Sequence, residues 1–299
     1  MAELALFQLP PILLPVPSTL NPSPPRFPLT NRMPPIVLMT DFGTRDSYIG
    51  VMKGVIAGIA PEAQVIDLTH EIRPQDVVHA AYTLAISVPY FPAGSIFCCV
   101  VDPGVGSARR SVAVEAGAWR FVLPDNGILT MVTEQWPARR AVSLSNRRYQ
   151  LSRLSATFHG RDVFAPAAAH LAAGVLLKSL GEMLPPEALQ RLELPGTSQQ
   201  AGRVTGSVMH IDRFGNLVTT ITRAHLSESS AWRIHVEGAG VLLSGIATTF
   251  ADVDKGEPVA YIGSDGFLEL AVRDGNAAER WQTAIGTVVT AEKNVEQED

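Results

Sequence analysis

The sequence predicts an α/β amino-terminal domain with a mainly parallel, layered sheet and a smaller all-β, barrel-like carboxy-terminal domain. Two observations carry this prediction. In the first part of the chain, apolar runs that end in an acidic residue and a turn alternate with segments of helical spacing, which is typical of parallel sheets covered by helices. After residue 203, short strand-like runs separated by Gly, Asp and Ser turns predominate, as in small antiparallel barrels.

The elements of the α/β domain follow from the same patterns. The runs IVLMT, AQVID, SIFCCVV and FVLP are predicted strands, because they are short, apolar and bounded by turn residues. Residues 47–60, 77–88 and 162–173 are predicted helices, and Gly174 suits the end of the third.

The amino-terminal residues differ in composition from the rest of the chain. Residues 4–17 are mostly apolar, but no Lys or Arg precedes them and prolines interrupt them, so they fit neither a signal peptide nor a membrane helix. Residues 1–33 are therefore predicted to form a disordered, proline-rich tail, and Met33 is an alternative start just before the first strand. The predicted domains then span residues 34–193 and 203–293.

Composition and charge exclude several classes of function. The chain is 46% hydrophobic and 18% charged, with a net charge of −5. These values are ordinary for a soluble globular protein and unsuited to a binder of nucleic acid or anionic membrane. Cys98 and Cys99 are adjacent, and neighbours on a strand point to opposite faces, so no disulfide is expected. A chain without a disulfide framework is predicted to act in the reducing cytoplasm.

Three carboxylates follow predicted strands of the first domain. Asp41, Asp102 and Asp125 each come directly after an apolar run, and a glycine follows each within two residues. Because ligands of open α/β sheets bind beyond the carboxyl ends of the strands, we expect these side chains to crowd one rim. Aspartate is also a common turn residue after a strand, and that alternative applies to each of them singly.

The loop DPGVGSARR, residues 102–110, is the strongest candidate for a site. It lacks both a Gly-Lys-Ser/Thr sequence and the G-x-G-x-x-G spacing, which disfavours a phosphate-binding loop. A curled loop would pair Arg109 with Asp102, either as an ion pair that shapes the loop or with guanidinium donors left for an anion. His159, in TFHGRDVF, is suited to proton handling near neutral pH, or else is structural.

Two turns of the second domain carry further candidates. HIDRFGN places Asp212 and Asn216 around one turn, and a carboxamide matches the donor and acceptor edge of a purine. IGSDGF contains Ser264 in another turn, and either turn is also compatible with ordinary hairpin chemistry. The seven histidines show neither H-x₃-H nor H-E-x-x-H spacing, so no metal site is predicted.

Together these segments resemble one family. TDFGTRDSYIGVMKG, IDLTH, VVDPGVGSARR, PDNGIL, TFHGRDVF, HIDRFGN and GSDGFLELAV are similar, in this order, to segments of the S-adenosyl-L-methionine (SAM) hydroxide adenosyltransferases, which are adenosine-forming SAM hydrolases related to fluorinases and chlorinases. The resemblance covers roughly residues 35–291. It implies SAM as substrate, adenosine and L-methionine as products, no cofactor, no nucleic-acid or membrane partner, and a homotrimer with the substrate held between neighbouring subunits.

The resemblance also implies roles for individual residues. The family's catalytic Asp–Arg–His set falls on Asp102, Arg109 and His159. The substrate-binding positions fall on Asp41 for the ribose, Asp46, Thr157, Phe158 beside the nucleoside, Asn216 for adenine, Asp212 and Ser264 for the methionine end, and Glu269. Relatives often carry Asn where this chain has Arg273, so the resemblance does not predict an adenine contact at this position.

The predicted reaction is hydrolysis, and two alternatives remain. The sulfonium of SAM leaves as a neutral thioether, so the protein has to supply mainly an oriented oxygen nucleophile. A SAM-dependent halogenase is the first alternative, but fluorinase-type sequences lack the carboxylate of Asp102 and carry Tyr-Ser in place of His159-Gly160. A carboxylate at this position would repel a halide. The second alternative is a non-catalytic protein that binds SAM or a nucleoside.

Overall fold

The computed structural model describes residues 33–194, 196–226 and 232–293, which fall into two compact units divided between Leu192 and Glu193. The predicted disordered tail lies outside the described residues except for Met33. Within the described part of the chain, no helix is long and apolar enough to cross a membrane.

The amino-terminal unit is built on a seven-stranded sheet. Its strands are β1 (Ile36–Thr40), β2 (Val65–Thr69), β3 (Ile96–Val100), β4 (Ser111–Ala116), β5 (Trp119–Pro124), β6 (Ala138–Ser143) and β7 (Met183–Leu184). They lie in the order β2-β1-β3-β5-β4-β6-β7. The first four in this order are parallel, whereas β4 runs antiparallel to β5 and β6, and β7 runs antiparallel to β6.

The prediction of a mainly parallel sheet is therefore right for only part of the sheet, which is mixed. The reason lies in the connection between β4 and β5, which is a turn of two residues, 117–118. So short a turn joins only antiparallel neighbours, because a parallel connection needs a crossover of a dozen residues or more. Gly117, with φ of +54°, supplies the left-handed conformation of this turn.

Four α-helices alternate with these strands in the described part of this unit. They are α1 (Tyr48–Ile59), α2 (Val77–Ser87), α3 (Thr130–Gln135) and α4 (Ala165–Ala172). The predicted helices at 47–60 and 77–88 are confirmed, but the third differs, because a π-helical turn over Gly160–Phe164 precedes α4. The alanine-rich α4 contacts α1 and β3, and Gly174, with φ of +90°, follows its end.

The core of this unit lies between the sheet and α1 and α4. Ile36 and Leu38 of β1 and Met52 and Ile56 of α1 are fully buried there. Cys98, in the same core, and its neighbour Cys99 are free thiols, as predicted from their adjacency. Burial raises the pKa of Cys98 to about 12, so the thiol is unreactive.

The carboxy-terminal unit is a nearly closed antiparallel barrel, which confirms the all-β prediction. Its elements are β8 (Ser198–Gln200), β9 (Arg203–Ile211), β10 (Leu217–Thr222), β11 (Trp232–Val236), β12 (Val241–Ser244), β13 (Pro258–Ile262), β14 (Phe267–Val272), β15 (Val288–Lys293) and the short helix α5 (Ala277–Trp281). The strand order is β12-β11-β15-β9-β10-β14-β13, and β8 pairs with β9. Ala247, just after β12, pairs with Tyr261 of β13 and brings the two sheet edges together.

Candidate active site

The parallel strands β1, β3 and β5 bring three carboxylates to one edge of the sheet. Asp41 and Asp125 directly follow β1 and β5, and Asp102 lies two residues beyond β3. The carboxylate of Asp125, 3% exposed, accepts hydrogen bonds from Arg110 Nε and the Gln190 amide, both at 2.8 Å. Asp125 therefore fixes the neighbouring chain, while Asp41 and Asp102 remain candidates for the site.

Asp102 and Arg109 form the bidentate ion pair that their spacing allows. Arg109 Nε donates to Asp102 Oδ1 at 2.8 Å, and Nη2 contacts Asp102 Oδ2. The third nitrogen, Nη1, donates to Ser111 Oγ at 2.6 Å, and the guanidinium lies 5.4 Å from the centre of the Phe164 ring. The two side chains are only 5% and 10% exposed, so the pair is held in one geometry in a weakly screened environment.

His159 completes a cluster with this pair. Its Nδ1 lies 2.9 Å from Arg109 Nη2, which also contacts Asp102. Because a guanidinium only donates, Nδ1 accepts, and the proton of the neutral ring lies on Nε2. Burial lowers the pKa of His159, the charge of Arg109 lowers it further, and the charges of Asp102 and Asp162 partly offset these effects. The ring is thus neutral near neutral pH.

Two loops bring this cluster together by close backbone contact. Gly106 has φ of +79°, and a Cβ on it would lie 2.7 Å from the carbonyl oxygen of Ala156. The loop that bears Asp102 therefore packs directly on the loop that precedes His159, with no room for a side chain. Ser107 braces the first loop, because its hydroxyl donates to the Gly104 carbonyl at 2.7 Å.

Three aromatic rings form an apolar wall near His159. Phe42, Tyr48 and Phe158 have ring centres 5.2–6.0 Å apart and pack in tilted or edge-to-face geometry. Phe158 was expected beside a nucleoside, whereas Phe42 and Tyr48 were not singled out from sequence. Their presence in the TDFGTRDSY segment, after a strand, is the signal that would have found them.

The other predicted residues of this unit lie on loops. Asp41 is partly buried, and its Oδ2 accepts a hydrogen bond from the Gln75 amide at 2.8 Å. Asp46 is exposed just before α1. Thr157 is exposed two residues before His159, with its hydroxyl 3.2 Å from that of Ser155.

In the carboxy-terminal unit, Asp212 and Asn216 are joined around one turn. Asp212 Oδ1 accepts from the amides of Phe214 at 2.8 Å and Asn216 at 2.9 Å, and Oδ2 accepts from Asn216 Nδ2 at 2.8 Å. The carboxylate thus fixes the orientation of the Asn216 carboxamide, which is buried. The two residues form one unit of structure rather than two independent contacts.

A pocket of about 610 Å³ opens beside Asn216. Phe214 and Phe250 line it, and they are 73% and 40% exposed. Exposed aromatic faces beside a fixed carboxamide suit a planar base, because stacking supplies affinity and the amide supplies hydrogen bonds. Sequence reasoning missed both rings, although Phe214 lies inside HIDRFGN. Arg273 also lines the pocket, and its Nη1 donates to the Val253 carbonyl at 2.5 Å, which braces the turn that carries Phe250.

Acidic side chains gather near the predicted methionine end. Ser264 is exposed in the turn between β13 and β14. Glu269 Oε2 accepts from the Tyr261 hydroxyl at 2.6 Å. Burial raises the pKa of Glu269, the Tyr261 hydrogen bond opposes this, and the charges of Asp265 and Asp212 raise it further. The negative charges of Asp265 and Asp212 therefore repel that of Glu269, and a bound cation would reduce this repulsion. Asp265 was not predicted from sequence.

Across residues 33–194, 196–226 and 232–293, no group of three or more His, Cys, Asp or Glu side chains is placed to hold a metal ion. The His, Arg and Asp side chains of the cluster are instead bonded to one another.

Comparison with known proteins identifies the family of both units. Residues 36–181 match the model of the SAM hydroxide adenosyltransferase N-terminal domain. Residues 206–290 match the model of the SAM hydroxide adenosyltransferase C-terminal domain.

Similar proteins of known sequence and structure agree with this match. The chain is 44% identical to the (R)-S-adenosyl-L-methionine hydrolase of Thermus thermophilus, over 83% of this chain and 95% of the relative. It is 41% identical to that of Salinispora arenicola, over 82% and 93%. A fluorinase from an Actinoplanes species is more distant, at 31% over 88% and 99%. A crystal structure of an uncharacterized conserved protein from Thermotoga maritima superposes with a TM-score of 0.81 at 34% identity, covering 86% of this chain and 100% of that one. The chain therefore belongs to the SAM hydroxide adenosyltransferase family and is an enzyme of that family.

Proposed function

We propose that this protein hydrolyses SAM to adenosine and L-methionine by attack of water at C5′. The observation that carries the proposal is the cluster in which Arg109 contacts both Asp102 and His159. The relatives named (R)-S-adenosyl-L-methionine hydrolase, at 34–44% identity, support it.

The chemistry that the cluster has to perform is modest. A water oxygen forms a bond to C5′, the C5′–S bond breaks, and its electron pair goes to sulfur, which leaves as the neutral thioether of methionine. The water gives up one proton. Because free water has a pKa of about 15.7, it is a poor nucleophile until a base or a positive charge acts on it.

The three side chains of the cluster divide this task. Asp102 accepts a hydrogen bond from the water and orients it, while the guanidinium of Arg109 stabilises the negative charge that develops on oxygen. His159, with Nδ1 accepting from Arg109, keeps the guanidinium in place and donates Nε2–H to the same oxygen, while the proton that the water gives up passes to Asp102 and from there to solvent. Positioning and exclusion of bulk water contribute a large share of the rate. No step of this chemistry calls for a metal or a cofactor.

The remaining candidates bind the substrate. Asn216 reads the adenine edge, with Phe214 and Phe250 stacking on the base. The ribose hydroxyls bind to Asp41, and Phe158 packs beside the nucleoside. Asp212, Ser264 and Glu269 bind the ammonium and carboxylate of the methionine end. Asp46 and Thr157 lie at the edge of the nucleoside site.

We also propose that the protein is a cytoplasmic homotrimer in which each site combines the amino-terminal unit of one subunit with the carboxy-terminal unit of the next. The family resemblance supports this arrangement. Two variants test it when they are co-expressed: Asp102→Ala, and the double variant Phe214→Ala/Phe250→Ala assayed at low SAM. A mixed trimer regains one intact site if sites are shared between subunits. Activity at low SAM stays no higher than that of the two variants assayed separately if each subunit builds its own site, and this result would reject the arrangement.

The function is tested by product analysis. Purified protein incubated with SAM in heavy-oxygen water is expected to give methionine and adenosine labelled at the 5′-hydroxyl. The Asp102→Ala variant is the control for background hydrolysis. Production of 5′-chloroadenosine or 5′-fluoroadenosine with added halide would assign a halogenase instead. Tight SAM binding in calorimetry, with no turnover by folded protein from pH 6 to pH 9, would assign a binding protein.

A further inference from the structure

The π-helical turn over Gly160–Phe164 touches the catalytic cluster at both ends. His159 directly precedes the turn and contacts Arg109, and the ring of Phe164, at the end of the turn, lies 5.4 Å from the Arg109 guanidinium. A π-helical turn inserts an extra residue into a helix and is frequently found at functional sites. The conformation of this turn therefore sets how His159 meets Arg109.

One residue in the middle of the turn, Asp162, is fully buried. Its Oδ2 accepts from the Ser155 amide at 2.6 Å, and the Arg161 Nε donates to Oδ1 at 2.6 Å. Its backbone takes part as well, because its amide donates to the Phe158 carbonyl at 3.2 Å and its carbonyl accepts from the Leu151 amide at 3.0 Å. Asp162 thus ties residues 151–158 to the turn at three separate points.

Arg161, the ion-pair partner of Asp162, also packs on Phe158, which the proposed function places beside the nucleoside. The Arg161 guanidinium, held by Asp162, lies 5.1 Å from the centre of the Phe158 ring. The ion pair and its bond to the Ser155 amide hold the pKa of Asp162 below its usual value against the effect of burial, so the carboxylate is charged. The buried charge of Asp162 therefore binds Ser155, which precedes the Phe158–His159 pair, and Arg161, which follows it.

We infer that Asp162 is a positioning residue of this enzyme: it clamps the loop 151–158 onto the π-helical turn and so fixes His159 against Arg109. This inference rests on the proposed function and deepens it. Asp162 acts through His159 and Phe158 and does not meet the reacting atoms. The charged groups that face His159 are Arg109, Asp102 and Asp162.

The substitution Asp162→Asn tests the clamp, because it keeps the shape and an acceptor for the Ser155 amide but removes the charge. We expect kcat for SAM to fall about 10- to 100-fold with KM changed less than about twofold, since a small misplacement of a reacting group costs up to about 100-fold. Arg161→Gln keeps the buried carboxylate, and we expect a smaller loss of kcat. Asp125→Asn is the matched control, because Asp125 is also buried between an arginine and a backbone amide. Its kcat should stay within about twofold of the unchanged protein.

A second measurement separates positioning from mere loss of stability and from failure of the proposed function. The resonance of His159 is followed by NMR in protein labelled with ¹³C at histidine Cε1, assigned with His159→Gln. In Asp162→Asn we expect a changed His159 shift and a lower pKa, because the carboxylate that favours the charged ring is gone. An unchanged His159 titration, together with a loss of kcat no larger than in Asp125→Asn, would overturn the inference. Absence of turnover in the unchanged protein would reject the proposed function, while the NMR result would still decide whether Asp162 positions His159.

Discussion

The two candidate regions of this molecule are built in opposite ways. In the amino-terminal unit, Asp102 and Arg109 are buried and bonded to each other and to His159. In the carboxy-terminal unit, Phe214 and Phe250 line an open pocket and are 73% and 40% exposed. The first region is complete without a ligand, whereas the second presents surfaces that a ligand would cover.

This difference separates catalysis from recognition. Groups that stabilise charge in a transition state work best when they are already oriented, because no energy is then spent on reorganisation during the reaction. Aromatic faces that bind a base gain their energy only when the base covers them. We therefore expect changes in the cluster to lower kcat and changes in the pocket to raise KM.

The largest effect is expected for Arg109→Lys. Lysine keeps the charge but loses the planar fork that binds Asp102 and His159 together. The expected loss is about 100- to 1000-fold in kcat, as for removal of one preorganised donor at an active site. Steady-state kinetics with SAM measure it, and Arg139→Lys on the exposed part of β6 is the control. A variant with near-normal kcat would show that the fork is structural.

The next effect concerns the contact between the two loops. Gly106→Ala introduces a methyl group in a left-handed backbone position, against the Ala156 carbonyl. We expect the loops to separate and kcat to fall about 10- to 100-fold, because the reacting groups shift. Gly58→Ala is the control, since nothing lies within 4 Å of its Cβ in α1. It should stabilise the helix by about 0.5–1 kcal/mol in thermal unfolding and leave kcat unchanged. Equal behaviour of the two variants would contradict the close loop contact.

A smaller effect, confined to binding, is expected in the pocket. Phe250→Ala removes one stacking face, which is worth about 1–3 kcal/mol per base. The KM for SAM should rise at least about fivefold, with kcat changed little. Leu242→Ala is the control, because Leu242 is an exposed apolar residue of the same unit, on β12 and outside the lining of the pocket. A fall in kcat at unchanged KM would place Phe250 in catalysis and erase the contrast between the regions.

The smallest effect is the pH dependence near neutrality. Protonation of His159 removes the acceptor that Arg109 Nη2 requires, so activity falls as pH decreases through the pKa of His159. Because burial and then the Arg109 charge lower this pKa, the acid limb of kcat/KM should have its midpoint below the ordinary value of about 6.5. Between pH 7 and 8 the change should stay under about twofold. His170→Gln should leave the limb in place, whereas a midpoint above 7 would contradict the described geometry.

Part of the fold could be predicted from the sequence, because strands and helices leave a local pattern of apolar residues. The strand that ends before Asp41 and the one that ends before Asp102 were predicted from their apolar runs, and the first two helices from their spacing. The direction of β4 was not predicted, although Gly117 marks the tight turn that reverses the chain. The π-helical turn was also missed, because one extra residue leaves no distinct signal in the helical spacing of GRDVF and the alanine-rich segment after it.

Some contacts of the candidate site could likewise be predicted from the sequence, and others could not. Sequence placed Asp102 and Arg109 in one loop, seven residues apart, and suggested that they pair, which the structure shows. The contact of Arg109 with His159 spans fifty residues and depends on how two loops pack at Gly106. Exposed rings such as Phe250 were missed, because the residue type alone does not indicate whether a side chain is exposed.

By itself, the sequence determined which reactive groups are present: carboxylates, a guanidinium and an imidazole. It also determined the order of apolar runs that builds an α/β unit before a barrel, and the motifs that the family shares. Only the tertiary structure decided which groups meet. It joined Arg109 to both Asp102 and His159, turned Asp125 toward Arg110, and used Asp212 to orient Asn216. The physical reason is that hydrogen bonds and ion pairs act over about 3 Å, and distances of that size between residues far apart in the chain are set by packing.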